Sequence, residues 1–197
     1  CAGLVGFTAC DSFLDEDPKS SLTLDTYYKT SADIIGNVNY LYRDGAPDKM
    51  GNMTGAYRGS SLSVMNMVTG YFVNEYEGQE VDCSYARQLT RQDFTQSCCN
   101  YLTNDTWKSC YKSINVANAV IKYVDGVEMD NQAQYKAEAR FFRALNYFYL
   151  VKMFGDVPMV TEPTEDATLV EYPTRTAASE VFNTVIIPDL QFAVENL

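Results

Sequence analysis

The chain has 197 residues, 46% hydrophobic and 21% charged, the balance of an ordinary globular domain. Its 15 Lys and Arg against 26 Asp and Glu give a net charge of −11, which repels polyanions and sets nucleic acid aside as a partner. It has no histidine, so the commonest general base and zinc ligand are both missing, and no apolar run reaches the length of about 18 residues that a membrane-spanning helix needs.

The first ten residues, CAGLVGFTAC, are apolar and uncharged, and the sequence then switches to DSFLDEDPKS. This reads as the tail of a secretory apolar region whose basic start is missing. Phe7-Thr8-Ala9-Cys10 resembles a bacterial lipobox, in which small residues precede an acylated Cys, although Leu is usual where Phe7 stands. Cleavage there leaves Cys10 as the lipid-bearing first residue, each buried methylene of its acyl chains contributing about 0.8 kcal/mol. Residues 1–9 are then a leader remnant, 10–22 an acidic linker and 23–197 a helical domain. The competing reading is a buried first strand ending in a core Cys. Because the chain does not start with Met and stops inside a predicted helix, it reads as part of a longer protein. Of the remaining cysteines, Cys83, Cys98, Cys99 and Cys110, the adjacent pair cannot bridge comfortably to itself, and free or occasionally paired thiols are the simplest expectation. Their spacing makes no zinc cluster, and no cofactor is expected.

Ser31 to Arg43 places Ile34, Ile35, Val38, Leu41 and Tyr42 at helical spacing, with Ser31 as N-cap and a short helix before it near Leu24–Lys29. Asp44–Gly59 reads as loop, Ser60–Tyr71 as a helix with Leu62, Met65, Val68 and Phe72 on one face, and Tyr71–Asn100 mainly as structured loop with a short strand at Glu80–Asp82. From Asn104 or Asp105, Trp107, Tyr111, Ile114, Ala117, Ile121 and Val124 form one face of a long helix that ends at Asp125-Gly126. A second helix starts at Asp130 or Asn131, carries Tyr135, Ala139, Phe142, Leu145 or Asn146, Tyr149 and Met153 on its apolar stripe, and stops at Gly155 before Pro158. The short connection makes the two helices antiparallel. A third runs from near Thr176 to Asn196 with Val181, Phe182, Val185, Leu190 and Ala193 inward and a kink at Pro188. Large aromatics alternate with Ala, the small-against-large packing of tetratricopeptide-type helix pairs.

The run Ala137-Glu138-Ala139-Arg140-Phe141-Phe142-Arg143-Ala144-Leu145-Asn146-Tyr147-Phe148-Tyr149-Leu150-Val151-Lys152-Met153-Phe154-Gly155-Asp156-Val157-Pro158 closely resembles the SusD/RagB family of surface lipoproteins. Trp107, Tyr111, Ile114, Ala117 and Asn118 resemble that family's W…Y..I..AN helix, TRTAASEVFNTVIIPDL (174–190) its next helix, and Cys10-Asp11-Ser12-Phe13-Leu14-Asp15 its mature start. Phe7 and Pro188 depart from the pattern. The resemblance implies a mainly α, tetratricopeptide-like fold with irregular binding loops, seen here in its N-terminal part. It implies an outer-membrane, surface-exposed lipoprotein of polysaccharide utilization. Such a protein binds glycans and passes them to a TonB-dependent SusC-type transporter, without catalysis.

Sugar binding needs aromatic faces for the ring and amides, carboxylates and guanidinium groups for the hydroxyls. Tyr71, Tyr76, Asp82, Tyr85, Arg87, Arg91, Asn100 and Tyr101 supply these types in one stretch before the Trp-bearing helix, where the resemblance places part of the glycan site. For each residue the alternative is simple packing or solvation of the loop. Trp107, the only Trp, lies on the apolar stripe and reads as core. Arg140 and Arg143 read as interhelical ion-pair partners, with Glu138 or Asp156 as acceptors. Three other functions remain open: a RagB-type peptide binder, a glycoside hydrolase with two carboxylates, and a tetratricopeptide adaptor.

Overall fold

The computed structural model describes residues 23–42, 68–72, 88, 90–93, 97–164 and 173–197. The loop 44–59, the body of the helix expected from Ser60, the strand at Glu80–Asp82 and everything before Thr23 lie outside the described residues. In chain order the elements are α1 (Leu24–Tyr27), α2 (Ser31–Tyr40), α3 (Ser97–Tyr123), a 3₁₀ turn (Val124–Gly126), α4 (Gln132–Phe154), β1 (Val157–Pro158), β2 (Arg175–Thr176), α5 (Ala178–Val181), a π turn (Phe182–Ile186) and α6 (Ile187–Asn196). The fold is mainly helical, as the periodicity predicts.

Local chemistry sets most boundaries. Thr30, not Ser31, caps α2: its backbone N–H and its hydroxyl both donate to the Asp33 carboxylate, at 2.8 and 2.6 Å. α3 begins at Ser97, two turns before the expected start at Asn104 or Asp105. These short polar residues favour caps by offering the backbone local partners, but here uninterrupted helical hydrogen bonding runs through them. At the other end the prediction holds, with α3 closing into the 3₁₀ turn at Val124–Gly126. α4 starts after Asn131, which sits in the left-handed region at φ 59, and stops at Gly155, φ 68. The two-residue pairing of β1 with β2, Val157 opposite Thr176, carries no sequence periodicity and was not expected. It delays the last helix from Thr176 to Ala178, whose N–H is capped by the Asp156 carboxylate at 2.9 Å.

Contacts along the helices establish the packing directions. Lys136 pairs with Asp125, Arg143 with Asn118 and Tyr111 with Tyr147, so position rises on α4 as it falls on α3 and the two are antiparallel. The same progression, Phe148 on Phe182, Arg143 on Asp189 and Arg140 on Phe192, makes α4 and α6 antiparallel. α4 is therefore the central helix. On one side of its middle lies an apolar cluster of Tyr28, Ile34, Val38, Leu41, Val120, Val124 and Phe142. On the other lies a second, of Cys110, Ile114, Tyr147, Leu150, Val157, Val181 and Val185. Trp107 packs edge-on against Phe154 at the border of the second cluster, in the structural role its stripe position predicts.

Between the clusters runs a buried polar bridge. Arg143 donates through Nε and Nη2 to the two Asp189 oxygens at 2.7 and 2.9 Å, and through Nη1 to Asn118 Oδ1 at 2.9 Å. Arg140 stacks its guanidinium 4.3 Å from the Phe192 ring centre and stands 3.7 Å from Asp189. The acceptor is thus Asp189, not the expected Glu138 or Asp156. Glu138 instead accepts from Gln134, and Asp156 is the cap described above.

The disturbance predicted at Pro188 appears as the π turn Phe182–Ile186 immediately before it. Proline has no N–H and crowds the carbonyl four residues back, and the wider turn removes that conflict. Leu190, expected inward, is 39% exposed, while Asp189 and Ala193, which continue the row of Val181 and Val185 at steps of four residues, are buried.

Replacing Asp189 by Ala leaves Arg143 charged and unpaired in the core, so stability is expected to fall by about 3–5 kcal/mol, read as the shift in urea midpoint. Burial also pushes Tyr28, Tyr147 and Cys110 up to about 12, from 10.0 for the phenols and 9.0 for the thiol. The unfolded chain ionises these groups first. Their stabilisation is therefore complete below about pH 9 and is lost as pH rises from the unfolded values toward 12. Urea midpoints should stay level around neutrality and fall in alkali, and Cys110, a free buried thiol, should be alkylated only once the protein is unfolded.

Candidate functional site

The helical frame positions the irregular segments through side chains that reach out of the core. After β1 the chain runs extended across α3 and α4. Tyr111 Oη donates to the Pro158 carbonyl at 2.7 Å, and Tyr147 Oη both donates to the Val160 carbonyl and accepts from its N–H. Asn118 Nδ2 donates to the carbonyls of Val160 and Glu162, and Asn115 Oδ1 accepts from Thr164 N–H at 2.8 Å. Both tyrosines are held neutral by burial, Tyr111 raised well above the usual phenol value, so each hydroxyl keeps its proton to donate. Four side chains on two helices thus fix the backbone from 158 to 164.

The described part of the stretch singled out for binding consists of two turns. Val68–Gly70 forms the first, with Gly70 at φ 78, a conformation glycine adopts without the strain of a side chain. Val68 and Gly70 lie where the end of a helix was expected; the positive φ turns the chain before Tyr71. The Tyr71 N–H then donates to Thr69 Oγ1 at 3.3 Å. The second turn, at Thr90–Asp93, is closed by Asp93 N–H on the Gln88 carbonyl at 2.9 Å. Gln92, at φ 57, reaches across and donates through Nε2 to the Val68 carbonyl at 3.3 Å. That bond joins segments 24 residues apart and places the turn bearing Arg91 against the turn bearing Tyr71.

Tyr71 is 90% exposed and Phe72, next to it, 58% exposed. Two adjacent large aromatics left open to solvent on a turn contrast with the buried Tyr28 and Tyr147. Arg91 is also exposed. Phe72 was expected on the apolar face of a helix and Gln92 was not singled out; the signal available for both was the Thr-Gly-Tyr-Phe run and its need for a turn partner. Asn100 and Tyr101 fall within α3 and not in a loop, because the helix starts earlier. Tyr76, Asp82, Tyr85, Arg87 and the lipidation candidate Cys10 lie outside the described residues. Among the described residues no group of three or more Cys, Asp or Glu side chains is arranged to hold a metal ion, and no helix is long and apolar enough to cross a membrane. The two turns thus carry exposed aromatic rings and an exposed guanidinium on hydrogen-bonded segments, residue types that suit the apolar face and the hydroxyls of a sugar ring.

A SusD-like family model described as starch-binding, associating with outer membrane, matches residues 12–197. SusD-like protein P25 of Formosa agariphila is 27% identical over 200 residues, covering 96% of this chain and 35% of the relative. The crystal structure of a SusD superfamily protein from Parabacteroides distasonis superposes with a TM-score of 0.64 at 25% identity, covering 83% of this chain and 33% of that one. A second structure, solved with a xylogluco-oligosaccharide, gives a TM-score of 0.59 at 22% identity, covering 83% and 30%. The chain spans about a third of the length of these relatives.

Proposed function

Since the chain belongs to the SusD-like family, we propose that it is part of a cell-surface protein that binds oligosaccharides and hands them to a SusC-type TonB-dependent transporter in the outer membrane. The observation that carries the reading is the solvent-facing pair Tyr71 and Phe72, pinned through Gln92 to the turn bearing Arg91. Exposed aromatics on a braced turn bind sugar at low entropic cost, since little must be ordered on binding. The relative solved with a xylogluco-oligosaccharide supports a saccharide as the ligand class. Tyr76, Asp82, Tyr85, Arg87, Asn100 and Tyr101, in the adjoining sequence, belong to the same proposed binding stretch.

In this reading the protein acts by binding and not by turnover; glycoside hydrolysis would need two carboxyl groups facing one cleft, one held protonated. Cys10 carries the lipid anchor, with residues 1–9 a cleaved leader and the acidic 10–22 a tether ahead of the helical domain. The outer face of that domain meets the transporter.

Tyr71→Ala with Phe72→Ala should weaken retardation in polysaccharide-containing native gels about five- to tenfold, the loss expected for an aromatic contact. Their exposure keeps the melting temperature unchanged. Retention of glycan affinity by this variant removes the platform, and binding of peptides without binding of any glycan replaces it with the RagB-type reading. For the anchor, fatty-acid labelling in cells is expected on the wild type and absent in Cys10→Ala; equal labelling of both refutes the assignment.

A further inference from the structure

A concave surface lies where the start of α2 meets the turn between α3 and α4. It is an open cleft of about 590 Å³, within the usual range for small-ligand sites. Its apolar lining comes from Ile35, Met129 and the half-buried ring of Tyr135. Its polar lining comes from Ser31, Asn131 and the carboxylates of Glu128 and Asp130.

The rim is held in place before any ligand arrives. Gln132 Nε2 donates to the carbonyls of Val127 and Val124, and Lys136 pairs with Asp125, so the turn is tied to the first residues of α4. Asn131 is locked at φ 59 by the turn, and its amide caps no backbone group of the helix it precedes. The amide is therefore available for a partner from outside.

The chemistry of the lining selects among ligand classes. Two carboxylates repel an anion. They do not suffice for a metal ion, and no group of three such ligands exists among the described residues. An apolar floor with an aromatic ring, bordered by hydroxyl, amide and carboxylate acceptors, fits a neutral saccharide. We propose that this cleft is a second saccharide subsite, sharing no residue with the Tyr71 turn. The proposal rests on the glycan-binding reading above and adds a place on the frame where a longer chain or a second chain is held.

The test is hydrogen–deuterium exchange on the full chain with cellohexaose, maltoheptaose and a xyloglucan oligosaccharide as separate probes. Wild type is compared with Tyr71→Ala/Phe72→Ala and with Asn131→Gly/Glu128→Gln, in which glycine keeps the left-handed backbone. At least one sugar should slow exchange across 128–135 in wild type and in the Tyr71 variant. The affinity read at that segment should fall about fivefold in the Asn131 variant, the loss of about one hydrogen bond. Protection near Tyr71 without protection at 128–135 overturns the subsite and leaves the main platform standing. Protection at 128–135 alone supports the subsite and removes the platform, and protection at neither overturns both. A lysine-rich peptide that protects 128–135 where no sugar does reassigns the cleft to basic peptides.

Discussion

The architecture turns on the guanidinium of Arg143. Its planar fork meets both oxygens of Asp189 on α6 and the side-chain carbonyl of Asn118 on α3, so one residue of the central helix is bonded to both neighbours. Side-chain exposures of 10% for Arg143 and 3% for Asp189 put the pair in the interior. Burying charge there is costly and is offset only when every donor is met in good geometry. Apolar clusters tolerate some sliding of one helix along another. A bidentate fork does not, and it therefore sets the register of three helices at once.

Several other features follow from that register. Asn118 spends its carbonyl on Arg143 and its amide on the carbonyls of Val160 and Glu162, so the extended segment after β1 is tied to the same bridge. Tyr147, one turn along α4 from Arg143, grips Val160 from the other side. Asp189 faces the bridge from the row that Val181, Val185 and Ala193 also occupy, at steps of four residues.

The family relationship places these devices in a wider setting. The family match covers residues 12–197 and the relatives are about three times as long, so the helical frame corresponds to about a third of their length. Its aromatic content divides by environment. Rings such as Tyr28, Phe142 and Tyr147 are structural, and Tyr71 and Phe72 remain open to solvent. In a chain with 15 tyrosines, composition alone does not separate these roles, since the same side chain serves as core filler, hydrogen-bond clamp or ligand platform.

The sequence by itself determined what depends on near neighbours. The spacing of Ile114, Ala117 and Val124 on α3, and of Ala139 and Phe142 on α4, dictated long helices; Asn131 and Gly155 marked the bounds of α4. The short link between α3 and α4 dictated their antiparallel pairing. The run from Ala137 to Pro158 pointed to the family, which the match over most of the chain establishes. Tertiary structure decided what depends on residues far apart. Arg143 was legible as an ion-pair partner, but its acceptor lies 46 residues on and is chosen by the packing of α6 against α4. The start of α3 was misplaced because Asn104 and Asp105 carry the chemistry of a cap, and only the continuous helix shows that the chain does not use it. At the candidate site, the stretch containing Tyr71 and Arg91 was visible from its residue types. That the two turns meet through Gln92, and that Phe72 faces solvent, was not, because a hydrogen bond across 24 residues leaves no local periodicity.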